Sequence, residues 1–313
     1  SVLGPLLFII YINDLATNVN CICKLFADDS KLISRVNNDE DYNNLQSDLD
    51  NISKWCNNWC MNLNYNKCKV LHFGKKATAR PYYLADDNGY RYKITESKCE
   101  RDLGILVPTD LKWKEQVESV VNKASRLIGL LKNSFAYRGE DLWLVLYTTY
   151  IRPILEYANS SWSPINKREM DLLEGVQRRA TKIPSSLKDL SYDERLKQLN
   201  LTKLSIRRQR GELIQIFKII NKLDDIELHS KLNFAIDTRN ELITRGHDLR
   251  IIKEKFSSRS INDNCSAINI RKNFLTQKAI NNWNNLSNEI IKSGSLNSFK
   301  SKLDKWIDNN NLK

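Results

Sequence analysis

The strongest pattern along the chain is helical. Tyr42, Leu45, Leu49, Ile52, Cys56 and Trp59 step by three and four, which lays one apolar stripe along a helix over 39–60. Asn38 or Asp39 can cap its start. Two short runs precede it, Cys21 to Ala27 and Ser30 to Val36, and read as strands that meet at Asp28-Asp29. Further upstream, Ser1 to Leu15 predicts a loop at Gly4-Pro5 followed by an apolar helix. Downstream, Lys67 to Phe73, Tyr90 to Ile94 and Leu103 to Val107 read as strands.

From Asp110 the spacing is helical almost throughout. Trp113, Val117, Val120, Ala124, Leu127 and Leu131 form one stripe. Leu142, Leu146, Thr149 and Tyr150 form another, ended by Arg152-Pro153 because proline breaks a helix ladder. Residues 166–222 are helical and basic, with Leu172, Leu173, Val176 and Ala180 and then Leu213, Ile216, Phe217 and Ile220 as apolar sets. Loops are expected at Thr244 to His247 and Ser257 to Asn264. A last helical pair runs through Phe274 to Trp283 and Leu296 to Trp306. The pattern is α/β first and mostly α afterwards.

Charge sharpens this division. The 313 residues carry a net charge of +12, yet residues 1–100 hold 12 Lys and Arg against 12 Asp and Glu, so the whole excess lies after residue 100. A basic body beside a neutral, carboxylate-bearing piece suits a polyanion partner; a solvated basic surface is the plain alternative. Seven cysteines fit a reducing compartment. Cys21 and Cys23, or Cys56 and Cys60, lack a second pair or a histidine at zinc spacing. Cys56 falls on the helix stripe and reads as core. Val2 to Ile12 is too short to span a bilayer, so a soluble chain is expected.

The chemistry centres on Asp28-Asp29. Two carboxylates about 4 Å apart repel by about 4 kcal/mol at an effective dielectric near 20. A divalent cation offsets that repulsion, and Mg²⁺ takes one or two carboxylates and fills its other positions with water and phosphate oxygens. A solvated turn with two surface aspartates is the bland reading. Asp14, near a helix end, suits a cap or the surface better than a metal.

The neighbours of the pair extend the picture. Ser1-Val2-Leu3-Gly4-Pro5 stands upstream, Phe26-Ala27-Asp28-Asp29 in the hairpin, and Trp55, Trp59, Met61-Asn62-Leu63-Asn64, Lys67 and Phe73-Gly74 downstream. Arg152-Pro153-Ile154-Leu155-Glu156-Tyr157, Gln177-Arg178-Arg179-Ala180-Thr181-Lys182 and Trp283-Asn284-Asn285-Leu286 follow. This ordered set resembles the reverse transcriptases of non-LTR (LINE-type, jockey-like) retrotransposons over nearly the whole chain.

The resemblance implies part of a right-hand polymerase: the C-terminal part of an α/β palm over 1–109, a helical thumb over 110–165 and a basic helical C-terminal extension over 166–313. It implies RNA-directed DNA synthesis on an RNA template and DNA primer with deoxynucleoside triphosphates, two Mg²⁺ ions, no membrane, and an intracellular place in nucleus and cytoplasm. Asp28 would be a direct metal ligand and Asp29 a weaker ligand or supporting charge. Phe26 would pack near the primer end, and Ser1 and Gly4 would lie beside the templating base and incoming nucleotide. Lys67 would face the triphosphate as a cation for the leaving pyrophosphate, or is an ordinary exposed lysine. Leu103-Gly104 resembles the hairpin that holds the primer end, or is an ordinary bulge. Lys112, Lys114, Lys123 and Arg126, then Gln177, Arg178, Arg179 and Lys182, then Arg207, Arg208 and Arg210 could face phosphates; helix–helix ion pairing with Asp193, Glu194 and Glu212 is the alternative.

The chain begins inside the family's Gln-Gly-Ser motif, so a fragment is expected, without the fingers and a third metal-binding aspartate, and inactive alone in primer extension. The rivals are a non-catalytic nucleic-acid-binding relic or repurposed module, and a helical interaction scaffold.

Overall fold

Helix α1 (Leu3–Ile12) already contains Gly4 and Pro5 in its first turn, where proline's missing N–H removes no bond. The expected Gly4-Pro5 loop is therefore part of the helix. The computed structural model describes residues 2–74, 80–226, 232–235, 247–254 and 270–311. These fall into two compact units, Ser1–Asp110 and Leu111–Lys313.

In the first unit, α1 passes through a 3-10 segment (Asn13–Asn18) into the antiparallel hairpin of β1 (Ile22–Phe26) and β2 (Asp29–Ile33). Helix α2 (Asp39–Asn58) follows, its first turn closed by Asn38 Oδ1 accepting the Asp41 N–H at 2.8 Å. Its buried face is Tyr42, Leu49, Ile52, Trp55 and Cys56. Trp59 caps the C-terminus and stays exposed; Trp55 takes the place the spacing assigned to it. Ile12, Leu15, Ile52, Trp55 and Cys56 form one core, against which Leu25 and Leu32 of the hairpin pack. Tyr42, Leu49, Tyr82, Leu84 and Ile94 form a second.

Six short strands complete this unit. Strand β3 (Lys69–Leu71) runs parallel to β6 (Thr95–Ser97), β4 (Tyr83–Ala85) is antiparallel to β5 (Arg91–Lys93), and β7 (Cys99–Asp102) is antiparallel to β8 (Ile105–Pro108). Leu103 and Gly104, expected inside a strand, are instead the turn between β7 and β8.

The second unit is helical: α3 (Lys114–Ser134), α4 (Glu140–Leu146), a π turn (Tyr147–Ile151), α5 (Arg152–Glu156), α6 (Lys167–Ala180), α7 (Tyr192–Gln198), α8 (Leu204–Ile220), then α9 (Leu275–Lys278), α10 (Ile280–Asn284), α11 (Asn288–Ile291) and α12 (Leu296–Asn311). Contrary to expectation, the chain stays helical through Arg152-Pro153. Within an α-helix the Pro153 ring would collide with the Thr149 carbonyl; the π turn just before it widens the ladder, with the Arg152 N–H bonded to Tyr147 O. The wider turn also moves the buried face to Trp143, Leu146, Tyr147, Ile151 and Leu155 and leaves Thr149 and Tyr150 exposed. Helix α8 buries Leu213, Ile216 and Phe217 against Trp283, Phe299 and Leu303, with the Phe217 and Phe299 rings stacked at 4.1 Å. Ser257 to Asn264 and residues 244–246 lie outside the described residues; His247 is buried. No helix among the described residues is long and apolar enough to cross a membrane.

Candidate active site

The β1–β2 hairpin closes with a two-residue turn, Ala27-Asp28, and Phe26 sits opposite Asp29. Asp29 is thus the first residue of β2 and not part of the turn. Ala27 has φ of +50°, a left-handed conformation that a Cβ disfavours by about 1–2 kcal/mol. Glycine usually holds the first position of such turns. Both carboxylates are exposed, and neither has a hydrogen-bond or ion-pair partner among the described residues.

Asp48 of α2 braces the hairpin from below. It is 1% exposed. Its carboxylate accepts the backbone N–H groups of Asn20 at 3.0 Å and Cys21 at 2.9 Å, immediately before β1. Burial alone would raise its pKa; the hydrogen bonds from Asn20 and Cys21 outweigh burial and hold the carboxyl below its ordinary value. The Cys21 thiol is pushed up to about 12, first by burial and then by its bond to Asp48. Gln46 holds Tyr83 of β4 by two backbone bonds of 2.9 Å, and Ser53 accepts the Ala85 N–H at 3.2 Å. One helix therefore fixes two strand edges through polar groups set beside its apolar stripe. These three residues were missed because a period search counts only apolar positions. The signal for them is a Gln, an Asp and a Ser on a helix otherwise committed to a core.

A second strained turn is tied to strand β2. Leu103 has φ of +44° and Gly104 of +87°, the left-handed pair of a type I′ turn. Gly104 adopts it freely, and Leu103 does not. Asp102, the last residue of β7, pairs with Lys31 of β2. The structure thus brings the Leu103-Gly104 tip and the Asp28-Asp29 hairpin together through one ion pair. Phe26, 64% exposed, stands at the end of β1.

Other expected residues lie apart. Gly4 is on α1 with open space around it, and Ser1 is outside the described residues. Asp14 lies in the 3-10 segment, where its backbone carbonyl accepts from Thr17 and Asn18 at 2.7 and 2.8 Å. Lys67 belongs to a turn whose hydrogen bonds go to Asn64. Arg178 and Arg179 are exposed on α6; Arg178 lies 5.0 Å over the Tyr192 ring and Arg179 donates to Ser125 at 2.9 Å. Gln177, placed with them by sequence, is fully buried, bonded to Tyr147, Tyr192 and Thr202 O. Arg207, Arg208 and Arg210 are taken up internally: Arg207 forks onto Glu156, Arg208 is buried against Trp162, and Arg210 forks onto Asp304 at 2.9 Å for its second bond. The helix–helix pairing alternative holds for Arg207 and Arg210, with acids other than those expected, while Arg208 donates to backbone carbonyls, Glu212 pairs with Lys278 and Asp193 with Lys203.

Two free carboxylates in sequence fit a Mg²⁺ ion whose remaining ligands are water and phosphate oxygens. They do not make a protein-closed site: among the described residues no group of three or more His, Cys, Asp or Glu is arranged to hold a metal.

Comparison with known proteins agrees with this geometry at the level of a domain. Residues 1–118 match the family model described as reverse transcriptase (RNA-dependent DNA polymerase), so this part of the chain is similar to a reverse transcriptase domain. The chain is also 30% identical over 131 residues to an uncharacterized protein of Caenorhabditis elegans; the match takes in 41% of this chain and 64% of that protein, less than two thirds of its length. No solved structure matches.

Proposed function

We propose that this chain is part of a reverse transcriptase of the non-LTR, jockey-like type, with the metal-binding and primer-end side of a palm in residues 1–109. Residues 110–165 are then the thumb and 166–313 the basic extension. The observation that carries the proposal is the pairing of two strained turns. One bears unpartnered carboxylates, the other lets a backbone approach closely, and Lys31–Asp102 joins them. Strain at non-glycine residues concentrates where function demands a fixed geometry.

In this reading Asp28 and Asp29 hold the metal, and Phe26 packs beside the primer end. Leu103 and Gly104 seat the sugar-phosphate. Lys67 meets the triphosphate, and Arg178 and Arg179 meet the phosphates of the template–primer duplex. The primer 3′-hydroxyl attacks the α-phosphate of the deoxynucleoside triphosphate and pyrophosphate leaves. Two divalent cations, when bound, supply charge stabilisation to the attacking and leaving oxygens.

The test is iron-directed cleavage. Fe²⁺ replaces Mg²⁺, and peroxide with ascorbate cuts the backbone beside the bound ion. Cuts close to Asp28, suppressed by excess Mg²⁺ and absent from Asp28→Ala, are expected. Cutting that is unchanged in Asp28→Ala refutes the metal assignment.

A second reading has one observation of its own, the confinement of the +12 excess to residues after 100. It is a non-catalytic nucleic-acid-binding module. Salt-dependent duplex binding that Asp28→Ala leaves intact, together with no iron-directed cut, favours it.

A further inference from the structure

A concavity lies on the first unit, and no hairpin residue lines it. Its volume is about 330 Å³, at the small end of small-molecule sites. It is lined by Asn62, Leu63, Asn64, Tyr65, Asn66 and Tyr92. Tyr65 and Tyr92 stack with ring centroids 4.2 Å apart and planes within 6°, so they form a rigid aromatic wall. Tyr90 meets Tyr92 edge-on at 4.8 Å and is 64% exposed. Asp86 holds this wall in place: it accepts the Tyr92 hydroxyl at 3.2 Å and the Tyr90 N–H at 2.8 Å.

Three amides share the lining with these rings. Asn64 Oδ1 accepts the Lys67 N–H at 3.3 Å, but the Asn62 and Asn66 side chains are exposed and have no partner among the described residues. Lys67 and Lys69 follow directly and are exposed. A flat π wall, free amides that both donate and accept, and neighbouring ammonium groups match one class of ligand.

We propose that this concavity binds an unpaired nucleobase of a single-stranded nucleic acid. The base lies against the tyrosine wall, Asn62 and Asn66 read its edge, and Lys69 neutralises a flanking phosphate. Stacking on an aromatic ring tolerates any base, and an Asn amide pairs in a bidentate manner with an adenine edge. Carboxylates would line the concavity if it were built for a cation; Asp86 is instead turned to the Tyr92 hydroxyl and the backbone.

The experiment is a fluorescence titration of the full chain, without divalent metal, using a single-stranded oligoribonucleotide that contains 2-aminopurine. Binding with quenching of the probe is expected. Asn62→Ala/Asn66→Ala, both at exposed positions, is expected to bind about tenfold more weakly, the scale of one base contact. Tyr90→Ala, also exposed, is expected to lose part of the quenching. An abasic strand of equal length is expected to bind wild type and the double variant alike.

Equal affinity of the double variant for the base-bearing strand overturns the proposal, as does an abasic strand that binds wild type as tightly. Free adenosine displacing the strand at equal concentration overturns the assignment to a strand. Asp28→Ala is expected to leave the titration unchanged. Failure here is therefore separate from failure of the metal assignment, which the iron-directed cut reads.

Discussion

In the first unit Asp28 in the hairpin turn and Asp29 at the start of β2 have no partner among the described residues, while in the second Arg195, Arg207, Arg208 and Arg210 are all engaged by the protein itself. Arg195 of α7 donates to Arg178 O of α6 at 3.4 Å and Arg208 of α8 to Leu155 O of α5 at 3.0 Å, so both serve as internal ties between helices. Arg178 and Arg179, on the same unit, keep to the surface. A charge count treats these groups alike. Their surroundings separate them: a charge enclosed by carbonyls or a forked carboxylate holds the fold, and one left in water remains available to a ligand.

Four variants can break or sharpen that contrast, read first as the change in unfolding free energy from urea melts. Arg208→Ala should have the largest effect, about 3 kcal/mol, because it removes a buried cation from Glu212, Trp162 and two carbonyls. A near-zero value would make Arg208 a surface arginine in all but position.

Asp48→Asn should cost about 2 kcal/mol, the scale of hydrogen bonds to a buried charge. Its pH dependence has a definite sign. The folded carboxyl titrates below the ordinary aspartate value of 3.8, so its contribution is full above that value and disappears as pH falls through the lower folded one. Melts taken down to about pH 3 should show wild type losing its advantage over Asp48→Asn.

Lys31→Ala breaks a half-exposed ion pair and should lower stability by no more than about 1 kcal/mol. Its value lies in the comparison with Asp48→Asn, since both touch the hairpin and only one is buried. Arg178→Ala/Arg179→Ala should change stability by less than about 0.5 kcal/mol. The same variant should reduce the salt dependence of duplex binding by about two phosphate contacts, whereas a stability loss as large as that of Arg208→Ala would erase the contrast.

Much of the fold was legible because long elements carry long patterns. Helix α2 spans 20 residues and its cap, stripe and direction all follow from spacing. The strands β4, β6 and β7, of three or four residues, do not repeat often enough to show a period. The Asp28-Asp29 hairpin was legible as a pair of runs with turn residues between them, but the turn at Leu103-Gly104 read as strand because leucine rarely adopts positive φ. The arginines were the least legible: Arg178 and Arg208 each sit in a basic cluster beside apolar residues. Only tertiary packing distinguishes a cation on the surface of α6 from one under Trp162. Asp48 was hidden for the same reason, since its partners are backbone amides 27 and 28 residues earlier in the chain.

The π turn before Pro153 has an arithmetic consequence. A turn of this kind is one extra residue accommodated in a regular helix. Removing a single exposed residue from it, Thr149 or Tyr150, would keep Trp143, Leu146, Tyr147, Ile151 and Leu155 on one face of a regular ladder, but would set the Pro153 ring against the carbonyl four residues before it. The irregularity therefore absorbs one residue and one proline while Leu155 stays in the core and Glu156 within reach of Arg207, and a deletion that tidies the backbone would give up the room the proline needs.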